Sequence, residues 1–64
     1  TMNREEALEL AGKVRDGLPA AMRQRLKAIW IMPKLHSGHL TIRVHATPQI
    51  AEDPEPFVFT VDEL

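Results

Sequence analysis

The side chains best suited to chemistry near neutral pH are three histidines, His36, His39 and His45. An imidazole can hold a metal ion or carry a proton, so their mutual spacing decides what they could do. His36 and His39 flank Ser37-Gly38, which reads as a turn, and the two rings can approach one another there. His39 and His45 fall on the same face of one strand, but six residues at about 3.3 Å each hold them roughly 20 Å apart. The three cannot share one ion, and two imidazoles alone do not make a structural zinc site. The chain has no Cys, which removes thiolate ligands and disulfides together. Neither a metal nor a cofactor is expected.

The other reactive groups lack the company that catalysis requires. Ser37 has His39 nearby but no residue to orient that base and no oxyanion donor. Glu52, Asp53 and Glu55 cluster around Pro54 without the alternating ligands and central glycine of a calcium loop. Gly12, Gly17 and Gly38 are scattered, so no glycine-rich phosphate loop is present. A binding role is therefore expected, not an enzyme; a metal-dependent or hydrolytic activity ranks behind every binding reading.

Charge is the most informative feature. Residues 1–16 carry Arg4, Lys13 and Arg15 against Glu5, Glu6, Glu9 and Asp16. Residues 17–51 hold Arg23, Arg25, Lys27, Lys34 and Arg43 with no acid, and residues 52–64 hold Glu52, Asp53, Glu55, Asp62 and Glu63 with no base. A net charge of −1 thus conceals a basic middle and an acidic tail. Arg23, Lys27, Lys34, His39, Arg43 and His45 are the candidates for contact with a partner or with nucleic-acid phosphates. The bland alternative is that the tail folds back and neutralises the middle. Trp30, Phe57 and Phe59 are the only aromatic residues, and their apolar neighbours mark them as core, not base-stacking platforms.

The elements that must position these groups are legible in outline. Asn3 with Glu6 three residues on forms a capping box, and Ala7, Leu10, Ala11, Val14 and Leu18 make one helical face. Gly17 is suited to the left-handed residue that closes a helix. Pro19 suits the first position of a second helix reaching about Lys27. Residues 28–32 are ambiguous between helix and strand; a strand over 28–35 is favoured because it would pair as a hairpin with the strand beyond the Ser37-Gly38 turn. Leu40, Ile42, Val44 and Ala46 alternate with Thr41, Arg43, His45 and Thr47, the clearest strand in the chain. Gln49–Pro56 reads as a loop, and Phe57, Phe59 and Val61 set a last strand over 57–62.

The fold class that results is α+β, one or two N-terminal helices packed on a three-stranded antiparallel sheet. Residues 1–64 form a single small domain, with Met2 read as the native start and Thr1 as a remnant of expression. Leu10, Val14, Leu18, Leu26, Leu40, Ile42, Val44, Phe57 and Phe59 are expected in the core. One helix layer covers one face of a sheet, so Trp30, Ile31 and Val58 are candidates for a dimer interface. The partners expected are a second copy of the chain and an unidentified protein, with nucleic acid as the alternative and no membrane. The longest apolar run, Ala28–Met32, is too short to span a bilayer. Arg4, Glu5 and Glu6 stand where a signal peptide would need apolar residues, and Val61-Asp62-Glu63-Leu64 is an incomplete retention signal. A cytoplasmic location is the expectation.

Overall fold

The computed structural model describes residues 2–49 and 57–64. Helix α1 (Arg4–Gly17) and the short helix α2 (Ala20–Arg25) precede strands β1 (Ala28–His36), β2 (His39–Thr47) and β3 (Val58–Thr60), and a 3-10 turn (Val61–Glu63) comes last. The sheet is antiparallel throughout with order β2-β1-β3. This is the expected α+β arrangement. The acidic cluster Glu52, Asp53 and Glu55, with the rest of the loop after Gln49, lies outside the described residues, as does Thr1.

Helix α1 begins as its sequence requires. The Asn3 side chain accepts from the Glu6 amide at 2.8 Å, and the Glu6 carboxylate accepts from the Asn3 amide at 3.3 Å. Two of the amides that open the helix are thereby satisfied. The C-terminus differs from expectation. Gly17 does not adopt a left-handed conformation; the cap is Leu18, extended at φ −75° and ψ 147°. Leu18 precedes Pro19, whose ring disfavours helical backbone in the residue before it. Proline ends this helix, not glycine. Pro19 itself caps α2 from one position outside it, and α2 stops at Arg25 because Leu26 is already extended.

Ala7, Ala11, Leu26, Ile29, Ile31 and Phe59 form the buried cluster, with Leu10, Val14, Leu18 and Phe57 half-buried around it. The pairing register divides the sheet cleanly. Ile29 opposes Ala46 and Phe59, Ile31 opposes Val44, Pro33 opposes Ile42, and Leu35 opposes Leu40. Residues directly opposite share a face, so these line the side that carries Ile29, Ile31 and Phe59 of the core beneath α1. The far side holds the intervening residues: Trp30 opposite His45 and Val58, Met32 opposite Arg43, Lys34 opposite Thr41, and His36 opposite His39.

Leu40, Ile42 and Val44, expected in the core, are 50%, 39% and 39% exposed. Their alternation does set one face of a strand, but burial also needs cover. A nine-residue hairpin is about 30 Å long, and the strand residues in the core cluster are Ile29 and Ile31 of β1 and Phe59 of β3. The outer half of the hairpin runs past the helix, consistent with extents of 37 × 24 × 17 Å. Leu35, opposite Leu40, is 71% exposed.

Pro33 in a central strand would ordinarily break the ladder. The Ile31 amide donates to the Phe57 carbonyl at 2.8 Å, so odd-numbered β1 amides point toward β3. The Pro33 nitrogen points the same way, and β3 pairs only with Ala28, Ile29 and Trp30. Among the described residues no strand faces Pro33 on that side, so no donor is required of it. At the hairpin tip, Ser37 (φ 50°) and Gly38 (φ 78°) both take positive φ, the signature of a two-residue type I′ turn.

The last strand is shorter than expected. The Glu63 carboxylate accepts from the Thr60 amide at 2.9 Å and curls Val61–Glu63 into a 3-10 turn. Glu63 also pairs with Arg4 at 2.9 Å, and the Arg4 guanidinium lies over the Phe59 ring, 4.8 Å from its centroid. Arg15, on the last turn of α1, donates to the Leu64 carbonyl. Both ends of α1 are therefore tied to the segment after β3.

Two glycines should respond oppositely to alanine. Gly12 lies mid-helix with open space where a Cβ would go, so Gly12→Ala should stabilise the domain by about 0.5–1 kcal/mol. Gly38→Ala should destabilise it by about 1 kcal/mol, because its φ is left-handed. Urea unfolding of both variants checks the pair; equal effects of one sign would contradict the turn assignment.

Glu63 predicts a pH dependence. The Thr60 amide, and after it the Arg4 guanidinium, hold its carboxyl below the ordinary 4.5. A lowered folded-state value means that Glu63 stabilises the fold above the ordinary range, and that this is lost as pH falls through the lowered value. Glu63→Gln should therefore lower the melting temperature at pH 7, with the difference from the parent chain shrinking on acidification. A difference that is constant or grows towards low pH would contradict the assignment.

Candidate interaction surface

The exposed part of the hairpin presents two unlike faces. Five of the far-face residues are potential cations: Lys34, His36, His39, Arg43 and His45. Trp30 and Met32 form its half-buried apolar centre, and Trp30, Met32, His45, Thr47 and Gln49 surround a shallow depression of about 200 Å³. No acid stands on this face among the described residues. The Thr41 hydroxyl donates to the Lys34 carbonyl at 3.1 Å, so it is engaged with the sheet itself. The Trp30 indole N–H is buried and without a protein partner among the described residues.

The candidates read from the sequence are only partly brought together. Lys34, His39, Arg43 and His45 share the far face. Arg23 stands on α2, and Lys27 stands at the junction before β1, where its amide donates to Thr47 and its carbonyl accepts from Val61. Both lie outside the strand register. Among the described residues, no ion pair involves Arg23, Arg25, Lys27, Lys34 or Arg43. Three of the described acids pair elsewhere: Glu63 with Arg4, Glu9 with Lys13 at 3.8 Å, and Asp16 with Arg15 at 3.1 Å.

His36 and His39 are opposed as the closing pair of the hairpin, and His45 lies two-thirds of a strand away, opposite Trp30. Among the described residues no group of three His, Asp or Glu is placed to hold a metal. Ser37 occupies the exposed turn.

Trp30, Ile31 and Val58 do not form one surface. Trp30 and Val58 are opposed on the far face, half-buried, whereas Ile31 is 2% exposed in the core beneath α1. Consecutive residues of a strand point to opposite sides, so Ile31 cannot join Trp30. The apolar strand residues left most open are instead Leu35, Leu40, Ile42 and Val44, on the helix side of the hairpin beyond the helix. Sequence reasoning missed them as a surface because alternation locates a face without saying how far its cover extends. The available signal was length, two nine-residue strands set against one helix.

Among the described residues no helix is long and apolar enough to cross a membrane. No protein-family model, curated protein or solved structure matches the chain.

Proposed function

We propose that this chain is a non-enzymatic interaction module that self-associates as a homodimer through its projecting hairpin. The observation that carries this reading is the apolar row of Leu35, Leu40, Ile42 and Val44, 39–71% exposed. Together they form a patch on the order of a few hundred Å², the size at which an apolar surface on a monomer marks an interaction site. A domain this small also gains proportionally more from a partner than a large one does. The cysteine-free sequence suits a reducing compartment such as the cytoplasm, where a second protein could share the same surface.

Sedimentation from low micromolar to near-millimolar concentration should show the mass rising from the chain mass of 7.2 kDa towards twice that value, with a melting temperature that rises with concentration. Leu40→Lys should weaken association at least tenfold, about 1.4 kcal/mol. The helical circular-dichroism signal should persist, because the position is half exposed. A concentration-independent 7.2 kDa species would refute the reading.

A second reading rests on a separate observation, the far face that carries Trp30, Lys34, Arg43 and three histidines with no acid among the described residues. Such a face suits single-stranded nucleic acid, whose phosphates the cations would meet. Two contacts, from Lys34 and Arg43, imply a slope of log affinity on log salt of about −1.4. Arg43→Ala should flatten that slope by roughly half. Fluorescence anisotropy of a labelled oligonucleotide at low salt measures both, and no binding there would eliminate this reading.

A further inference from the structure

The two long edges of the sheet are not equivalent. On the β3 side, β1 continues past Trp30 without a strand partner among the described residues, and that stretch carries Pro33. Proline withholds a donor and obstructs an incoming strand. On the other side β2 runs nine residues, with no proline, no Lys and no interruption of its register with β1. The fully charged side chain of β2 is Arg43, on the face away from the helix. Among the described residues no strand covers this edge, and long, regular, proline-free edges add a further strand.

The register identifies which groups that edge offers. Odd-numbered β1 amides point toward β3, as Ile31 does, so even-numbered ones point toward β2. Trp30, Met32, Lys34 and His36 oppose His45, Arg43, Thr41 and His39. Opposed residues in an antiparallel ladder share their hydrogen-bonding character. The odd β2 residues are thus bonded to β1, and Leu40, Ile42 and Val44 turn their N–H and C=O groups outward.

We infer that the dimer forms by antiparallel pairing of β2 with β2 of a second copy, about a twofold axis at Ile42, giving one continuous six-stranded sheet. This inference rests on the self-association reading and specifies its geometry. With the axis at Ile42, the outward groups of Leu40 meet those of the copy's Val44, and Ile42 meets Ile42, for about six hydrogen bonds. Helix-side residues fall into unbroken rows. Ile31 and Val44 of one chain continue into Leu40 and Leu35 of the other, and Pro33 and Ile42 continue into their own copies.

Charge selects this register over the neighbouring one. An axis at Arg43 would set two guanidinium groups directly opposite in a non-hydrogen-bonded pair, where side chains are closest. At Ile42, Arg43 faces the copy's Thr41. The paired stretch runs from His39 to His45 and stops short of the groove where Met22 and Arg25 of α2 stand beside Ala46, Thr47 and Pro48. The two apolar rows meet flank to flank across the new ladder, so each chain buries its strand edge together with the sides of Leu40, Ile42 and Val44 that face the copy. An unrelated extended peptide would satisfy the same edge, but would not by itself complete the apolar rows.

Amide hydrogen exchange of the full chain, followed residue by residue at low micromolar and near-millimolar concentration alongside its solution mass, tests this. The amides of Thr41, Arg43 and His45 should be protected at both concentrations. Those of Leu40, Ile42 and Val44 should slow by about tenfold or more as the dimer fills. A chain made by chemical synthesis with N-methylated Ile42, which keeps the side chain and removes the outward donor, should lose the dimer while keeping the hairpin signals. A dimer whose Leu40, Ile42 and Val44 amides stay fast, or one indifferent to the N-methyl group, overturns edge pairing and leaves self-association standing. A monomer at every concentration overturns both.

Discussion

Ala7 and Ala11, four residues apart on α1 and fully buried, let the helix backbone settle onto Ile29, Ile31 and Phe59. Small residues at that spacing give a close approach that leucines would prevent. Every other element takes its place from this contact. β1 is central because it supplies Ile29 and Ile31, and β3 is held because Phe59 completes the cluster from the opposite edge. Arg4 and Glu63 then close over Phe59, and Arg15 fastens the far end of the helix to Leu64. The cluster is compact, and among the described residues the last fully buried side chain along β1 is Ile31.

That limit determines the character of the hairpin. Beyond Ile31 the strands are held by their own ladder and by a two-residue turn with both central residues at positive φ. A two-stranded ribbon is marginal by itself in water, so a long one with an apolar side is stable when something supports that side. Pro33 fits the same logic. Among the described residues it meets no partner from β3, and it stands on the stretch of β1 edge past the described pairing. The outer edge of β2 carries no proline.

Local chemistry makes much of this legible in the sequence. The Asn3–Glu6 capping box, the strand pattern of Leu40–Thr47 and the turn at Ser37-Gly38 are all written in residues a few positions apart, and each stands where those residues place it. The misleading signals are longer in range. Gly17 looks like a helix stop, but the backbone obeys Pro19. Val61 looks like the end of a strand, but Glu63 draws the chain into a cap through the Thr60 amide. Leu40, Ile42 and Val44 look like core because they alternate, and alternation is silent on where the covering helix stops. Composition groups Ile31 with Trp30, although adjacent strand residues must part to opposite faces. The far-face cluster of Lys34, His39, Arg43 and His45 is visible in part, since three of the four lie on one strand at spacing two or four; the register with β1 is needed to add Lys34.

The charge blocks of the sequence acquire a spatial meaning through the same period of two. Simple neutralisation would bring the acidic tail against the basic middle across a shared sheet, yet Asp62 and Glu63 leave the sheet in the 3-10 turn, and Glu63 pairs with Arg4 of α1. Among the described residues the acids thus gather on α1 and the turn after β3, while the cations of the hairpin occupy the face turned away from the helix. An alternating strand separates its odd and even side chains onto two faces and leaves its outward backbone groups as a third surface. On β2 these are an apolar row, a cationic row and an unpaired edge, all from the nine residues His39–Thr47. A side-chain change in one row leaves the other row's side chains in place, and N-methylation at the edge leaves both. Self-association through the edge and apolar row does not consume the cationic face. The proposed pairing would set two such faces side by side on one sheet, so the two proposed readings do not exclude one another.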